Sequence, residues 1–120
     1  MNCIFCKIIN NEIPCYKLYE DEEVIVFLDI NPIANGHALV VPKSHVTDIY
    51  EADDKLIAHM YNVAKNIAND LMKKLNKDGC SFHINYGNCQ DVKHLHLHIL
   101  PGGHTAISDM DVEEVYNLVK

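Results

Sequence analysis

Polar and apolar residues alternate without a break from His94 to Ile99, in the run His-Leu-His-Leu-His-Ile-Leu-Pro that closes at Pro101. A period of two predicts a β-strand. Side chains leave a strand by alternate faces, so His94, His96 and His98 share one face, and Leu95, Leu97 and Ile99 point to the core. Pro101 ends the run because it cannot donate to a ladder. The pattern predicts four more strands, over residues 16–19, 24–28, 37–42 and 80–86, with Phe82, Ile84 and Tyr86 on one face of the last and His83 and Asn85 on the other. Leu56, Ile57, Met60, Val63, Ala64, Ile67, Ala68, Leu71 and Leu75 recur at helical spacing. They predict a long helix capped by Asp53 or Asp54, running to about Asn76 and stopped by Asp78-Gly79. Residues 3–10 read as a helical turn, and residues 109–120 as a short helix capped by Ser108 or Asp109. Five short strands, mostly joined by tight turns, and one long helix give an α+β fold with a five-stranded antiparallel sheet. No repeat or linker interrupts it, so residues 1–120 read as one domain.

Composition narrows the function. Apolar residues make up 48% and charged residues 22%, as in an ordinary globular domain. A net charge of −7 argues against nucleic-acid polymers, whose binding needs Lys and Arg against phosphates. A small anion stays open if histidines and backbone N–H groups make a site locally positive. No apolar run is long enough for a membrane span, and the N-terminus lacks the layout of a secretory signal, so a cytoplasmic setting is expected. Five cysteines without such a signal do not suggest a disulfide framework. The Cys3-Ile-Phe-Cys6 pair is open between a redox couple, half a zinc site and chance. The histidine row is open between a wet strand face, a metal site, and phosphate or proton chemistry. One ion held by His94, His96 and His98 is disfavoured, since the ends of such a row lie roughly 13 Å apart.

The run from His94 to Leu100, with Gln90 upstream, resembles the H-φ-H-φ-H-φ-φ signature of the histidine-triad (HIT) superfamily. Ile4-Phe5-Cys6-Lys7-Ile8-Ile9 with Glu12-Ile13-Pro14, Phe27-Leu28-Asp29-Ile30-Asn31-Pro32, and the stretch from Gly36 to His45 resemble its other segments, in order. The closest likeness is to the Hint branch, purine nucleoside phosphoramidases, in a bacterial form with an added cysteine pair.

The resemblance implies a HIT-like fold and a homodimer formed through the long helix and a sheet edge. It implies hydrolysis or transfer at the α-phosphate of purine nucleoside phosphoramidates or related conjugates. A covalent nucleotidyl-histidine intermediate would then release a nucleoside monophosphate. The alternatives are a nucleotide-binding scaffold and a dinucleoside polyphosphate hydrolase. His96 resembles the nucleophile, and His98 and His37 the phosphate-side histidines that, protonated, would steady the oxygens. Asp29 resembles the ribose-binding carboxylate, and Ile13, Phe27 and Ile30 the walls around the base. Asn85 matches a family asparagine near the active site, and Gln90 would brace the 87–91 turn, whose N–H groups would face the oxygens. Cys89 stands where relatives have glycine and would carry an awkward backbone if that glycine has φ > 0. Asp91 replaces a Ser or Thr; it would orient a cationic leaving amine or point to solvent. Cys3, Cys6, His45 and His94 resemble a structural zinc site.

Overall fold

Val24–Leu28 and Ala38–Pro42 are buried at every position, although an antiparallel strand with one wet face would alternate. The reason is that this sheet is covered on both sides. The computed structural model describes residues 3–120, so residues 1 and 2 of the expected domain lie outside the described residues. In chain order the elements are α1 (Ile4–Ile9), β1 (Lys17–Glu20), β2 (Val24–Leu28), β3 (Ala38–Pro42), α2 (Asp54–Leu75), β4 (Cys80–Ile84), β5 (Leu97–Pro101) and α3 (Val112–Val119). The sheet runs β1-β2-β3-β5-β4, antiparallel throughout. No helix among the described residues is long and apolar enough to cross a membrane.

On one face, Met60, Val63, Ala64, Ala68 and Leu71 of α2 pack with Val24, Val26, Val40, Leu95, Leu97 and Ile99, joined by Val115 and Val119 of α3. On the other, α1 lays Phe5 and Ile8 over Ile25, Phe27, Leu39 and Val41. The histidines lie on this second side, so the N-terminal arm forms one wall of their environment.

Several boundaries differ from the sequence reading. β5 is laddered only from Leu97; His94, Leu95 and His96 precede it outside the ladder, with the Leu95 N–H given to Val46 O at 2.7 Å. The alternation of faces survives, since Leu95, Leu97 and Ile99 all enter the same core. β5 lies between β3 and β4, inside the sheet. β4 stops at Ile84, and α3 begins at Val112 after an Asp111 N-cap, not at Ser108 or Asp109. Asp53 caps α2 as expected, its Oδ1 accepting the Leu56 N–H at 2.8 Å. The helix ends at Asn76, as expected, but the stop is Asn76 itself rather than Asp78-Gly79: it takes the left-handed conformation (φ 55°) and lets the Lys77 N–H reach Met72 O at 2.8 Å. Within α2, Met60, Ala68 and Leu71 are buried in the protomer's own core, whereas Ile67 and Met72 keep part of their surface.

Candidate active site

Backbone carbonyls and amides fix the protons on the buried imidazoles, and from them the chemistry of each ring follows. His96 Nδ1 lies 2.7 Å from His94 O, which only accepts; Nδ1 therefore carries the proton and Nε2 presents a lone pair. The Ile33 N–H donates to His37 Nδ1 at 3.0 Å, so His37 carries its proton on Nε2. That N–H donates to His98 Nδ1 at 2.9 Å, which leaves the His98 proton on Nε2. His98 Nε2 is buried without a hydrogen-bond partner. An unused lone pair on His96 and an unused N–H on His98 thus sit on neighbouring rings 4.8 Å apart.

Burial, reinforced by His96, His83 and His37, pushes His98 down to about 3. Burial also holds His37 below its ordinary value, against the pull of Asp29. Both rings are neutral at pH 7. The expectation has them protonated, whereas burial here favours their neutral forms, so the group His98 presents is a neutral N–H.

Beside His96 opens a cavity of about 180 Å³ lined by Ile13, Phe27, Asp29, Ile30 and Asp91, all anticipated, together with Phe5, Ile8, Leu39 and Val92, which the sequence reading did not single out. The Phe5 ring stands edge-on to His96 at 5.0 Å and to Phe27 at 5.7 Å. Ile30, 67% exposed, stands at the rim. Asp29 accepts the Asn31 N–H at 2.9 Å, and its other oxygen lies 3.6 Å from His37 Nε2. Asp91 Oδ1 lies 3.6 Å from His96 Nε2 and accepts the Val92 N–H at 2.9 Å.

The remaining anticipated residues stand apart from the cavity. Gln90 is buried beneath the turn, its Nε2 donating to Thr47 O at 2.8 Å and Val92 O at 3.3 Å, so it is a brace. Cys89 is exposed in a 3-10 turn, Gly87–Cys89, and needs no strained backbone; Gly87 takes the positive φ of 66° instead. The N–H groups of Cys89 and Gln90 are spent on Tyr86 O and Gly87 O, which corrects the expectation that these two serve a ligand. Asn85 is half-buried just beyond β4 and does not line the cavity. His83 was missed. Its ring stacks on His98 at 4.2 Å and 10°, because the register pairs His83 with His98. The alternation in residues 80–86 placed it on a face, but nothing local showed which strand it would meet.

A second cluster lies at the start of α1. His94 Nε2 donates to Pro42 O at 2.8 Å, leaving Nδ1 as a lone pair 3.3 Å from Cys3 Sγ and 3.7 Å from Cys6 Sγ. His45 Nδ1 stands 3.3 Å from Cys6 Sγ, and all four ligand atoms lie within 4.8 Å of one another. A tetrahedral zinc with Zn–S of about 2.3 Å and Zn–N of about 2.0 Å has S···N edges of roughly 3.5 Å. The residues fit. Burial, then the neighbouring Cys3, holds the Cys6 thiol above its ordinary value, a penalty that a cation between the sulfurs would reverse. Asp29, His37 and His98 also lie within metal-ligand reach of one another. There, however, the His37 N–H occupies the His98 Nδ1 lone pair, so that nitrogen is not free for a metal.

Residues 10–105 match the HIT domain. An uncharacterized HIT-like protein of Methanocaldococcus jannaschii is 43% identical over 98% of both chains. An adenosine 5'-monophosphoramidase of Saccharomyces cerevisiae is 39% identical over 82% of this chain and 61% of its own length. An adenylylsulfatase of Arabidopsis thaliana is 38% identical over 83% of this chain and 52% of its own. The crystal structure of a Zn-bound histidine triad family protein from Mycobacterium smegmatis superposes with a TM-score of 0.90 at 36% identity, covering 99% of this chain and 91% of that one. With a domain match over most of its length and relatives at this level of identity, the chain belongs to the HIT family.

Proposed function

We propose that this HIT protein hydrolyses purine nucleoside 5'-phosphoramidates or related conjugates at the α-phosphorus, through a nucleotidyl intermediate on His96. The observation that carries the reading is the pairing of a free lone pair on His96 Nε2, set by the His94 carbonyl, with an unpartnered N–H on His98 Nε2, set by the His37 ring. The lone pair of His96 Nε2 forms a bond to phosphorus while the bond from phosphorus to the leaving atom breaks. That atom keeps the electron pair and takes a proton from solvent. Water then attacks phosphorus, the pair of the P–N bond returns to Nε2, and the water's proton goes to solvent. His98 donates to a non-bridging oxygen in both steps. Ile13, Phe27 and Ile30 would hold the base by its faces, and Asp29 would accept the ribose hydroxyls.

Cys3, Cys6, His45 and His94 would hold a structural zinc, supported by their spacing and by the Zn-bound relative. Bound there, the metal supplies a covalent tie between the N-terminal arm and the β5 segment, with no part in the displacement. The same reading takes the protein as a homodimer; the partly exposed Phe82 on edge strand β4 and Tyr61 on α2 support it.

Incubation with adenosine phosphoramidate labelled in the adenosine, followed by rapid denaturation, is expected to leave label on the wild type and none on His96→Ala. Turnover in that variant should fall by at least about 10⁴-fold. A folded His96→Ala protein with near-normal turnover refutes the assignment.

A further inference from the structure

The relatives take two kinds of leaving group: an amine is displaced by a monophosphoramidase, a sulfate by an adenylylsulfatase. We propose that Asp91 selects between them in this protein, accepting the N–H groups of an amine leaving group, preferably a cationic one, and turning away anionic leaving groups such as sulfate or phosphate. This rests on the His96 displacement described above.

Asp91 Oδ1 lies 3.6 Å from the nitrogen that attacks phosphorus, so the carboxylate borders the space in which the bond to the leaving atom breaks. It is held there: Oδ1 accepts the Val92 N–H at 2.9 Å, and Val92 O in turn accepts from the buried Gln90 at 3.3 Å. Among the described residues the charged ones that line the cavity are Asp29 and Asp91, both acidic, with neither Lys nor Arg beside them. The nearest cation on the turn, Lys93, gives its Nζ to Gly87 O at 2.8 Å. Of the buried pair His37 and His98, only His98 has an N–H left to offer, since that of His37 is given to His98. A leaving group with negative charge would meet an ionised carboxylate with nothing to offset it. An amine N–H would meet an acceptor.

The test is the ratio of kcat/KM for an adenosine 5'-phosphoramidate of an aminoalkyl amine to kcat/KM for adenylyl sulfate, in the wild type and in Asp91→Asn. Asparagine keeps the oxygen that accepts the Val92 N–H, so the loop stays braced and only the charge is removed. A wild-type preference for the phosphoramidate is expected, and Asp91→Asn should reduce the ratio by about fivefold, the scale of one solvent-exposed charge interaction. A uniform loss on both substrates would mark a structural role and overturn the proposal, as would an unchanged ratio or a wild type that prefers the sulfate. If the wild type turns over neither substrate, or if His96→Ala matches it, the displacement itself is refuted and this inference with it. Activity that needs His96 but ignores Asp91 refutes the inference alone.

Discussion

His98 receives a proton from His37 on one nitrogen and offers its own from the other, in surroundings that penalise a positive charge. That environment has a thermodynamic signature. The ordinary value of a histidine is 6.5, and the folded protein holds His98 down to about 3, so as pH falls through 6.5 the unfolded chain takes up the proton first. The stability tied to this ring is fully present above pH 6.5 and is lost progressively towards pH 3. His37 and His83, also lowered by burial, act in the same direction. The urea midpoint should fall between pH 7 and pH 5, and fall less in His98→Gln; equal falls would mean that His98 is not held neutral. At this scale the sequence showed residue types and little of their state. The three histidines were visible in the alternation, whereas the protons on them were set by Pro42 O, His94 O and the His37 ring, of which only His94 O belongs to the same segment.

Among the elements, α2 and β5 mark what local pattern can and cannot give. The stripe from Leu56 to Leu75 predicted the helix and its start, because amphipathic spacing and an Asp cap are local properties. Removing the Asp53 cap in Asp53→Ala should cost about 1 kcal/mol, from the orphaned Leu56 N–H, and lower the thermal midpoint without altering turnover. A loss of activity at unchanged stability would argue against a purely structural cap. The end of α2 near Asn76 was also legible, but not the group that makes it: Asn76, a non-glycine residue, takes the left-handed conformation that glycine usually supplies. β5 was read three residues too long: alternation reports extended backbone, but a ladder requires a partner strand, and β3 pairs with β5 only from Ala38 to Val40. The base of the cavity went unseen for a related reason. Phe5 and Ile8 are an ordinary apolar edge of a short helix until α1 folds over β2 and β3.

Across the whole molecule, the Cys3–Cys6 arm and the His94 segment are 88 to 91 residues apart in sequence and meet over one sheet face. A zinc bound there would close that long loop and bind the folded state alone, so its removal should lower stability by about 3–4 kcal/mol at metal concentrations several hundred-fold above Kd. Metal analysis is expected to find about one zinc per chain in the wild type and markedly less in Cys3→Ser, with a chelator lowering the thermal midpoint of the former only. Equal zinc in both would exclude Cys3 as a ligand. The sequence by itself determined the α+β class, the alternation that puts three histidines opposite a core face, the long amphipathic helix and the ordered motifs of the family, because each is a matter of short-range period or spacing. Tertiary structure decided which ring keeps a lone pair, which keeps an orphaned N–H, that His83 stacks on His98, and that Asp91 stands beside His96. Those depend on backbone groups and side chains from distant segments, and no local period in the chain records where they will meet.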